Sequence, residues 1–285
     1  MTRILITGVT GMLGSKVFEI ASELGMNAWG TSRRELDDMY PAEIFLRDHI
    51  LLMEATREDA VRVLDTVKPA AVINCLGIVK QVTQDPEELM RVNHDFAHDL
   101  EQECRKRGIR MIDISTDCVF SGSRGNYAES DVPDPIDDYG RSKLAGETYD
   151  SPHLTIRTSI IGLERGTNRS LVSWFLSNPP GSSVKGHTHA IWSGLTTRAL
   201  APILLDLAVG QHRKVTGLLH IASSPISKYD LLQLCKRELR HDVNIVADDS
   251  VRIDRSLNHE KMDLLGIIVP PHEEMVAEMA KEYHP

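Results

Sequence analysis

The sequence predicts an α/β protein: a doubly wound parallel sheet carrying a smaller C-terminal lobe. Three observations lead there. Short apolar runs alternate with helix-length stretches through the first half of the chain, as in βαβ units whose sheet is covered on both faces. The first apolar run leads directly into Gly8, Gly11 and Gly14, and that turn opens a helix. From about Leu154 onward the alternation loosens, so a second, less regular body is expected there.

Taken in order, the apolar runs are Arg3–Thr7, Asn27–Thr31, Glu43–Leu46, Ala70–Cys75 and Arg110–Ile114, each read as a strand. Between them Leu13–Leu24, Arg57–Val67 and Leu89–Arg107 have helical spacing. Lys68-Pro69 and Arg107-Gly108 stand where helices stop. Beyond them His153–Ile161 reads as another strand and is followed by the glycine-containing loop Gly162–Gly166. Leu195–Val209 and Lys228–Leu239 read as helices around a short strand at Leu218–Ala222, and a last helix is expected after Pro270-Pro271. No internal repeat, low-complexity tract or Gly/Ser-rich linker divides the chain. The expected organisation is a nucleotide-binding domain made of residues 1–158 plus 195–222, with 159–194 and 223–285 forming the lobe.

Composition narrows the function classes. The 285 residues are 41% hydrophobic and 26% charged, an ordinary globular balance. A formal charge of −9 disfavours nucleic acid as a partner, since a sequence-independent binder needs a basic face. A small anionic ligand remains compatible, because a local basic pocket can exist on an acidic protein. Cys75, Cys104, Cys118 and Cys235 include no C-x-x-C spacing and read as reduced thiols, with no metal site expected. No apolar run approaches the roughly 18 residues of a membrane span. Ile4-Leu5-Ile6 is cut short by Thr7 and Gly8, unlike a signal peptide, so a cytoplasmic location without membrane contact is expected.

The glycine turn is the first chemical signal. In Gly8-Val9-Thr10-Gly11-Met12-Leu13-Gly14, Gly8 suits a tight turn, Gly11 a close approach to a pyrophosphate, and Gly14 close helix–strand packing. The amides around Gly11, Met12 and Leu13 then face the phosphates at the positive end of a helix dipole. The second strand ends Gly30-Thr31-Ser32-Arg33-Arg34, with no acidic residue before Glu35. A carboxylate there would favour the free 2′-hydroxyl of NAD, whereas guanidinium groups suit a 2′-phosphate. Arg33 and Arg34 therefore favour NADP(H) over NAD(H). The bland alternative is two solvated arginines on a loop.

The second signal is Tyr139 and Lys143, four residues apart and so on one face if helical. A phenol with an unperturbed pKa of about 10 exchanges protons poorly at neutral pH. An ammonium one turn away, with an oxidised nicotinamide, favours its phenolate. Thr116, at the end of the strand run begun at Arg110, can hydrogen-bond a substrate carbonyl while Tyr139 gives it a proton. A Y-x-x-x-K pair is common on protein surfaces. The glycine turn and Thr116 together give this one its weight.

These motifs carry a resemblance. Thr7–Gly14 (T-G-V-T-G-M-L-G), Ile114–Gly122 (I-S-T-D-C-V-F-S-G), Tyr127–Pro135 (Y-A-E-S-D-V-P-D-P), Tyr139–Glu147 (Y-G-R-S-K-L-A-G-E) and Ile156–Gly162 (I-R-T-S-I-I-G), together with Asn93, resemble the extended short-chain dehydrogenase/reductase superfamily. Within it they are similar to the dTDP-4-dehydrorhamnose reductase-like branch, over residues 1–162 closely and beyond them loosely. The resemblance implies a Rossmann-type fold and NADPH-dependent reduction of a keto group, at C4, on a nucleotide-activated deoxysugar. It implies Thr116, Tyr139 and Lys143 as the catalytic triad, with Lys143 also on the nicotinamide ribose. It further implies Asp48, after the third strand, as the adenine contact, and Cys75, Leu76 and Gly77 passing beneath the cofactor. Gly194-Leu195-Thr196 is similar to the family's G-x-P-T turn but lacks the proline. Cys118 and Ser121 stand where such reductases often have Tyr and Asp, and Ile160 where they commonly have Trp. These departures bear on substrate, not on fold.

The segment from Arg165 to Trp192 reads equally as a diphosphate and sugar pocket or as an ordinary polar loop. It holds Arg165, Asn168, Arg169, Lys185, His187, His189 and Trp192. Substrate contacts are expected from Thr116, Cys118, Ile160, Asn168, Arg169, Trp192 and Arg255. Arg252 is a further candidate, although exposed arginines are usually solvated. Two other functions stay open: a non-catalytic dinucleotide-binding regulatory subunit, and epimerisation or dehydration using Asp117 or Cys118. The sequence leaves the oligomeric state open, a homodimer being one assembly it allows.

Overall fold

A computed structural model describes residues 2–36, 40–41, 44–164 and 169–283. β1 (Arg3–Thr7) enters the glycine turn and α1 (Met12–Glu23) leaves it. β2 (Asn27–Ser32) and β3 (Ile50–Leu52) extend the sheet on one side of β1. α2 (Arg57–Val67) starts where the Thr56 hydroxyl accepts the Asp59 amide, and it ends on Lys68 in the left-handed region, just before Pro69. β4 (Ala71–Asn74) follows on the other side of β1. α3 (Pro86–Met90) passes through a π-turn, Arg91–Asp95, into α4 (Phe96–Lys106). β5 (Arg110–Thr116), α5 (Asp138–Gly146) and β6 (Leu154–Thr158) complete the regular part.

The later chain is interleaved. β7 (Ile160–Ile161), α6 (Leu171–Ser177), β8 (Ser183–Trp192), β9 (Leu195–Thr196), α7 (Thr197–Val209), β10 (Gly217–His220), β11 (Ile226–Ser227), α8 (Lys228–Glu238), β12 (Asn244–Asp254), α9 (Glu260–Leu264) and α10 (His272–Lys281) follow in that order. The central sheet runs β10-β6-β5-β4-β1-β2-β3 with every neighbouring pair parallel. Strand order reverses between β1 and β4, and ligand crevices of open α/β sheets lie at the carboxyl ends of such a pair.

Side-chain alternation explains why both faces are covered. Ile4 and Ile6 point into a core shared with Val17 and Phe18 of α1 and Leu204 of α7. Leu5, Val72 and Met111 point the other way, against Val63, Leu64, Phe96 and Leu100 from α2 and α4. A separate core gathers Phe175, Trp192, Leu231, Leu232, Cys235, Val276 and Met279 from the later chain.

Two expectations need correction. The third strand is Ile50–Leu52, whereas of the expected strand Glu43–Leu46 the first residue lies outside the described residues and 44–46 form no strand. Ile44 and Phe45 instead donate their amides to the Pro41 carbonyl in a turn, and Phe45 is fully buried with its ring stacked on Phe18 at 5.3 Å. That apolar run is a plug delivered by a loop, and periodicity cannot separate such a run from a short strand. The second correction concerns the stretch from Arg165 to Trp192. Within its described part α6 and the long strand β8 form, and β8 pairs in parallel with β12 from Ser183↔Asn244 to Ile191↔Asp254.

Candidate active site

The glycine turn has the geometry of a phosphate cradle. Gly8 adopts φ +69°. A Cβ on Gly14 would stand 2.2 Å from the Gly8 carbonyl oxygen, so only glycine lets α1 start this close to β1. Gly11 caps α1 without any side-chain hydrogen bond, leaving the first-turn amides facing the crevice. Tyr40 holds the turn from outside, its hydroxyl donating to the Thr10 carbonyl at 3.0 Å. At the end of β2, Arg33 and Arg34 are both exposed, and among the described residues neither guanidinium has a partner.

Cys75, Leu76 and Gly77 leave β4 beneath this turn. A Cβ on Gly8 would lie 3.2 Å from the Leu76 Cα, and one on Gly77 would lie 4.0 Å from the Lys143 Nζ. Burial pushes the Cys75 thiol far above its ordinary range, so it is a neutral packing group. Asp48 does not follow the third strand. It is exposed on a one-turn 3₁₀ helix, Arg47–His49, that precedes β3, while buried Met53 follows β3.

Thr116 ends β5 and its hydroxyl accepts the Cys118 amide at 3.1 Å, capping a 3₁₀ turn over Asp117–Val119. Asp137 caps α5 by accepting the Gly140 amide at 2.8 Å. Two glycines let α5 lie against the site. A Cβ on Gly140 would be 2.3 Å from the Cys118 carbonyl oxygen, and one on Gly146 would be 2.0 Å from the Asn93 carbonyl oxygen. Tyr139 is thereby brought near Thr116, with Lys143 one helical turn further on and almost fully buried. Burial, with Cys118 and Asp117 nearby, raises the Tyr139 phenol well above its ordinary value, while Thr116 opposes this.

Asn93 clamps the rear of the site. Its side chain takes the Ile78 amide and gives to the Ile78 carbonyl, both at 2.9 Å, and also gives to Ser142 Oγ at 3.0 Å. It lies in the π-turn between α3 and α4, a distortion that turns its amide toward two other segments. Below, Arg157 on β6 donates to Glu147 through Nε at 2.9 Å and Nη2 at 2.7 Å, and Ser115 donates to the same carboxylate. This buried pair ties the end of α5 to β5 and β6. Its sequence signal was there, since both residues belong to the motifs that carry the resemblance.

The side of the site next to Cys118 is assembled from distant segments. Arg255, just after β12, reaches back to donate Nε to the Phe120 carbonyl at 2.9 Å and Nη1 to Cys118 Sγ at 3.3 Å. Burial pushes the Cys118 thiol up to about 12, so the sulfur facing Arg255 is a neutral thiol. Asp117 is buried beneath, its carboxyl raised by burial and lowered in part by the Arg255 charge. Ile160 is half-buried on β7 against the first core. Trp192 packs in a core with Phe175, Leu231 and Val276, and its Nε1 donates to Ser159 Oγ at 3.0 Å. Arg169 is exposed, and Arg165 and Asn168 lie outside the described residues.

All four cysteines are free thiols, and no helix among the described residues is long and apolar enough to cross a membrane.

The RmlD substrate binding domain family matches residues 1–284. The chain is 33% identical over 148 residues to a dTDP-4-keto-6-deoxy-D-glucose reductase of Streptomyces niveus, covering 51% of this chain and 46% of that one. It is therefore aligned with about half of that reductase's length. To "Probable low-salt glycan biosynthesis reductase Agl14" of Haloferax volcanii it is 32% identical over 231 residues, 76% of this chain and 73% of that one. To methionine adenosyltransferase 2 subunit beta of Danio rerio it is 34% identical over 148 residues, 51% and 42% of the two chains. Among solved structures, a dTDP-4-dehydrorhamnose reductase from Bacillus anthracis in complex with NADP superposes with a TM-score of 0.81 at 21% identity, covering 99% of this chain and 100% of that one.

Proposed function

This chain belongs to the RmlD substrate binding domain family, and from that membership we propose that it is an NADPH-dependent reductase of a keto group on a nucleotide-activated deoxysugar, acting at C4. One observation carries the reading: Tyr139, near Thr116, and Lys143, one turn on, stand at the carboxyl edge of the sheet beside the Gly8–Gly14 cradle. The reductase names of the Streptomyces and Haloferax relatives support it.

The residues present fit a dinucleotide. Gly8 and Gly14 let backbone pack on backbone, so that the start of α1 lies close against the turn after β1, and the uncapped amides of α1 suit a pyrophosphate. Arg33 and Arg34, unpartnered among the described residues, support the 2′-phosphate of NADP(H) over NAD(H). Bound there, the nicotinamide supplies hydride to the keto carbon. Tyr139 holds the proton for the keto oxygen, and its raised pKa keeps it protonated until that oxygen becomes basic. Thr116 shares the same oxygen as a second donor. Lys143 holds the ribose side and stabilises the phenolate left after transfer. Arg255 and Cys118 bound the sugar pocket opposite, with Ile160 as a further wall.

The test is NADPH oxidation with a nucleotide-4-keto-6-deoxyhexose. Tyr139→Phe is expected to lower kcat by about 10²–10⁴ with NADPH affinity nearly intact. Full turnover in that variant would remove the mechanism. A second reading follows from the likeness to methionine adenosyltransferase 2 subunit beta: a dinucleotide-binding subunit without turnover. A partner enzyme whose kinetics this chain changes, with no NADPH consumed on any keto sugar, would establish that reading instead.

A further inference from the structure

One guanidinium beside the candidate active site is held in place by the fold and given no anion to meet. Arg255 follows β12 and is half-buried. Its Nε donates to the Phe120 carbonyl at 2.9 Å and its Nη1 to Cys118 Sγ at 3.3 Å. Both partners are neutral, one a carbonyl and the other a thiol that burial pushes up to about 12. Among the described residues Arg255 forms no ion pair, and its Nη2 has no hydrogen-bond partner. Asp117 lies beneath, its Oδ1 accepting from the Thr116 hydroxyl at 3.2 Å, and burial raises its carboxyl toward the neutral form.

Several contacts fix that placement. The Asp254 amide donates to the Gly122 carbonyl at 2.8 Å, the Tyr127 amide to the Ser256 carbonyl at 2.9 Å, and the Asn258 amide to the Tyr127 carbonyl at 2.7 Å. Ser256 Oγ accepts the Asn126 amide at 2.8 Å. The chain is thus clamped on both sides of Arg255. Gly122, at φ +85°, leaves room for the arginine's stem, since a Cβ there would stand 2.9 Å from the Arg255 Cγ. An arginine on an open surface keeps a mobile, solvated head. This one gives up rotamer freedom for two partners that leave its charge unbalanced, and its planar fork suits a phosphate or a carboxylate. The location decides whose anion that is. Cys118, which Arg255 touches, gives its amide to the Thr116 hydroxyl at 3.1 Å, and its carbonyl oxygen lies so close to α5 that a Cβ on Gly140, next to Tyr139, would come within 2.3 Å of it.

We propose that Arg255 is the anion-binding residue of the substrate site, its fork taking the oxygens of a phosphate or carboxylate that the substrate brings beside Thr116 and Tyr139. The substrate meant is that of the reductase reading, on which this assignment rests. In a nucleotide-activated sugar two groups supply such oxygens, the diphosphate and a carboxylate on the sugar ring. Either one completes the charge balance that the protein leaves open at Arg255.

The experiment is calorimetric titration of the full, NADP-loaded chain with thymidine diphosphate, UDP-glucose and UDP-glucuronate. Arg255→Gln is expected to weaken binding by about 10- to 150-fold. If the diphosphate is the anion, all three probes lose affinity; if it is a ring carboxylate, UDP-glucuronate alone does. Arg255→Lys keeps the charge without the fork and should recover part of the loss. Arg213→Gln makes the same change of net charge at an exposed position and should cost less than about threefold. Should Arg255→Gln melt far below the wild type, Arg255→Lys is read in its place, with a loss in the same direction expected. Wild-type affinity for all three probes in a folded Arg255→Gln chain overturns the proposal, and so does a wild-type chain that binds none of them. If the wild type consumes no NADPH on a keto sugar while Arg255→Gln loses thymidine diphosphate, the reductase reading fails and the anion site stands. Turnover of a nucleotide keto sugar by Arg255→Gln at wild-type KM keeps that reading and removes the site.

Discussion

Substituting Gly14 by alanine strikes the cofactor cradle where the geometry is tightest. The new Cβ would fall 2.2 Å from the Gly8 carbonyl oxygen, 2.8 Å from the Gly8 carbonyl carbon and 3.2 Å from the Thr7 carbonyl oxygen. An unstrained carbon–oxygen contact is about 3.3 Å or more, so turn and helix must separate by about 1 Å. The atoms met are backbone, and no rotamer change relieves them. Overpacking of this kind costs about 1–3 kcal/mol of stability. The larger effect is on binding, because the shift moves the α1 amides off the phosphate position. Each charge-assisted hydrogen bond lost is about 1.5–3 kcal/mol, a fall of about 10- to 150-fold in NADPH affinity per bond. Calorimetric titration of NADPH into the wild-type and Gly14→Ala chains, with a melting curve of each without ligand, measures both terms. A variant with wild-type NADPH affinity and melting temperature would refute the reasoning, since it would mean that α1 need not approach β1 as described.

Three further outcomes are expected. Replacing Arg33 and Arg34 together by alanine should weaken NADPH by about 10- to 100-fold while leaving NADH nearly unchanged, the difference being the charge-assisted bonds to one phosphate; equal losses for both dinucleotides would remove the NADP preference. Glu147→Gln leaves Arg157 buried without its counter-ion, so chemical denaturation should show a loss of about 3–5 kcal/mol, and a loss below about 1 kcal/mol would show that α5 is anchored by packing alone. His220 is fully buried with neither ring nitrogen hydrogen-bonded, and burial lowers it from 6.5 to about 4 against the Glu129 carboxylate 4.0 Å from Nδ1. The unfolded chain therefore binds a proton that the folded chain refuses between those values, so stability falls as pH drops from 6.5 to about 4, by about 3 kcal/mol from this group; His220→Leu should flatten that part of the stability–pH curve, and an unaltered curve would count against the assignment.

The sequence by itself determined the parts of this protein whose constraints are local. Gly8, Gly11 and Gly14 announce the cradle because backbone must approach backbone within one turn. Tyr139 and Lys143 are four apart because one helix face must present both. Strand alternation set the parallel sheet, since βαβ units impose it. Tertiary structure decided what depends on distant segments. Phe45 reads like strand and serves as a plug, because the pocket beside Phe18 exists only once α1 has docked. Asp48 had to be placed before β3 once that strand formed at Ile50–Leu52. The parallel pairing of β8 with β12 spans about sixty residues, and no local pattern announces it. Trp192 packs with apolar residues of α6, α8 and α10, an assembly that the spacing around it does not announce. Arg255 meets Cys118 across 137 positions of chain. Spacing records what neighbouring residues must do for one another. Burial and charge pairing between remote segments are fixed only when the whole chain has closed around them.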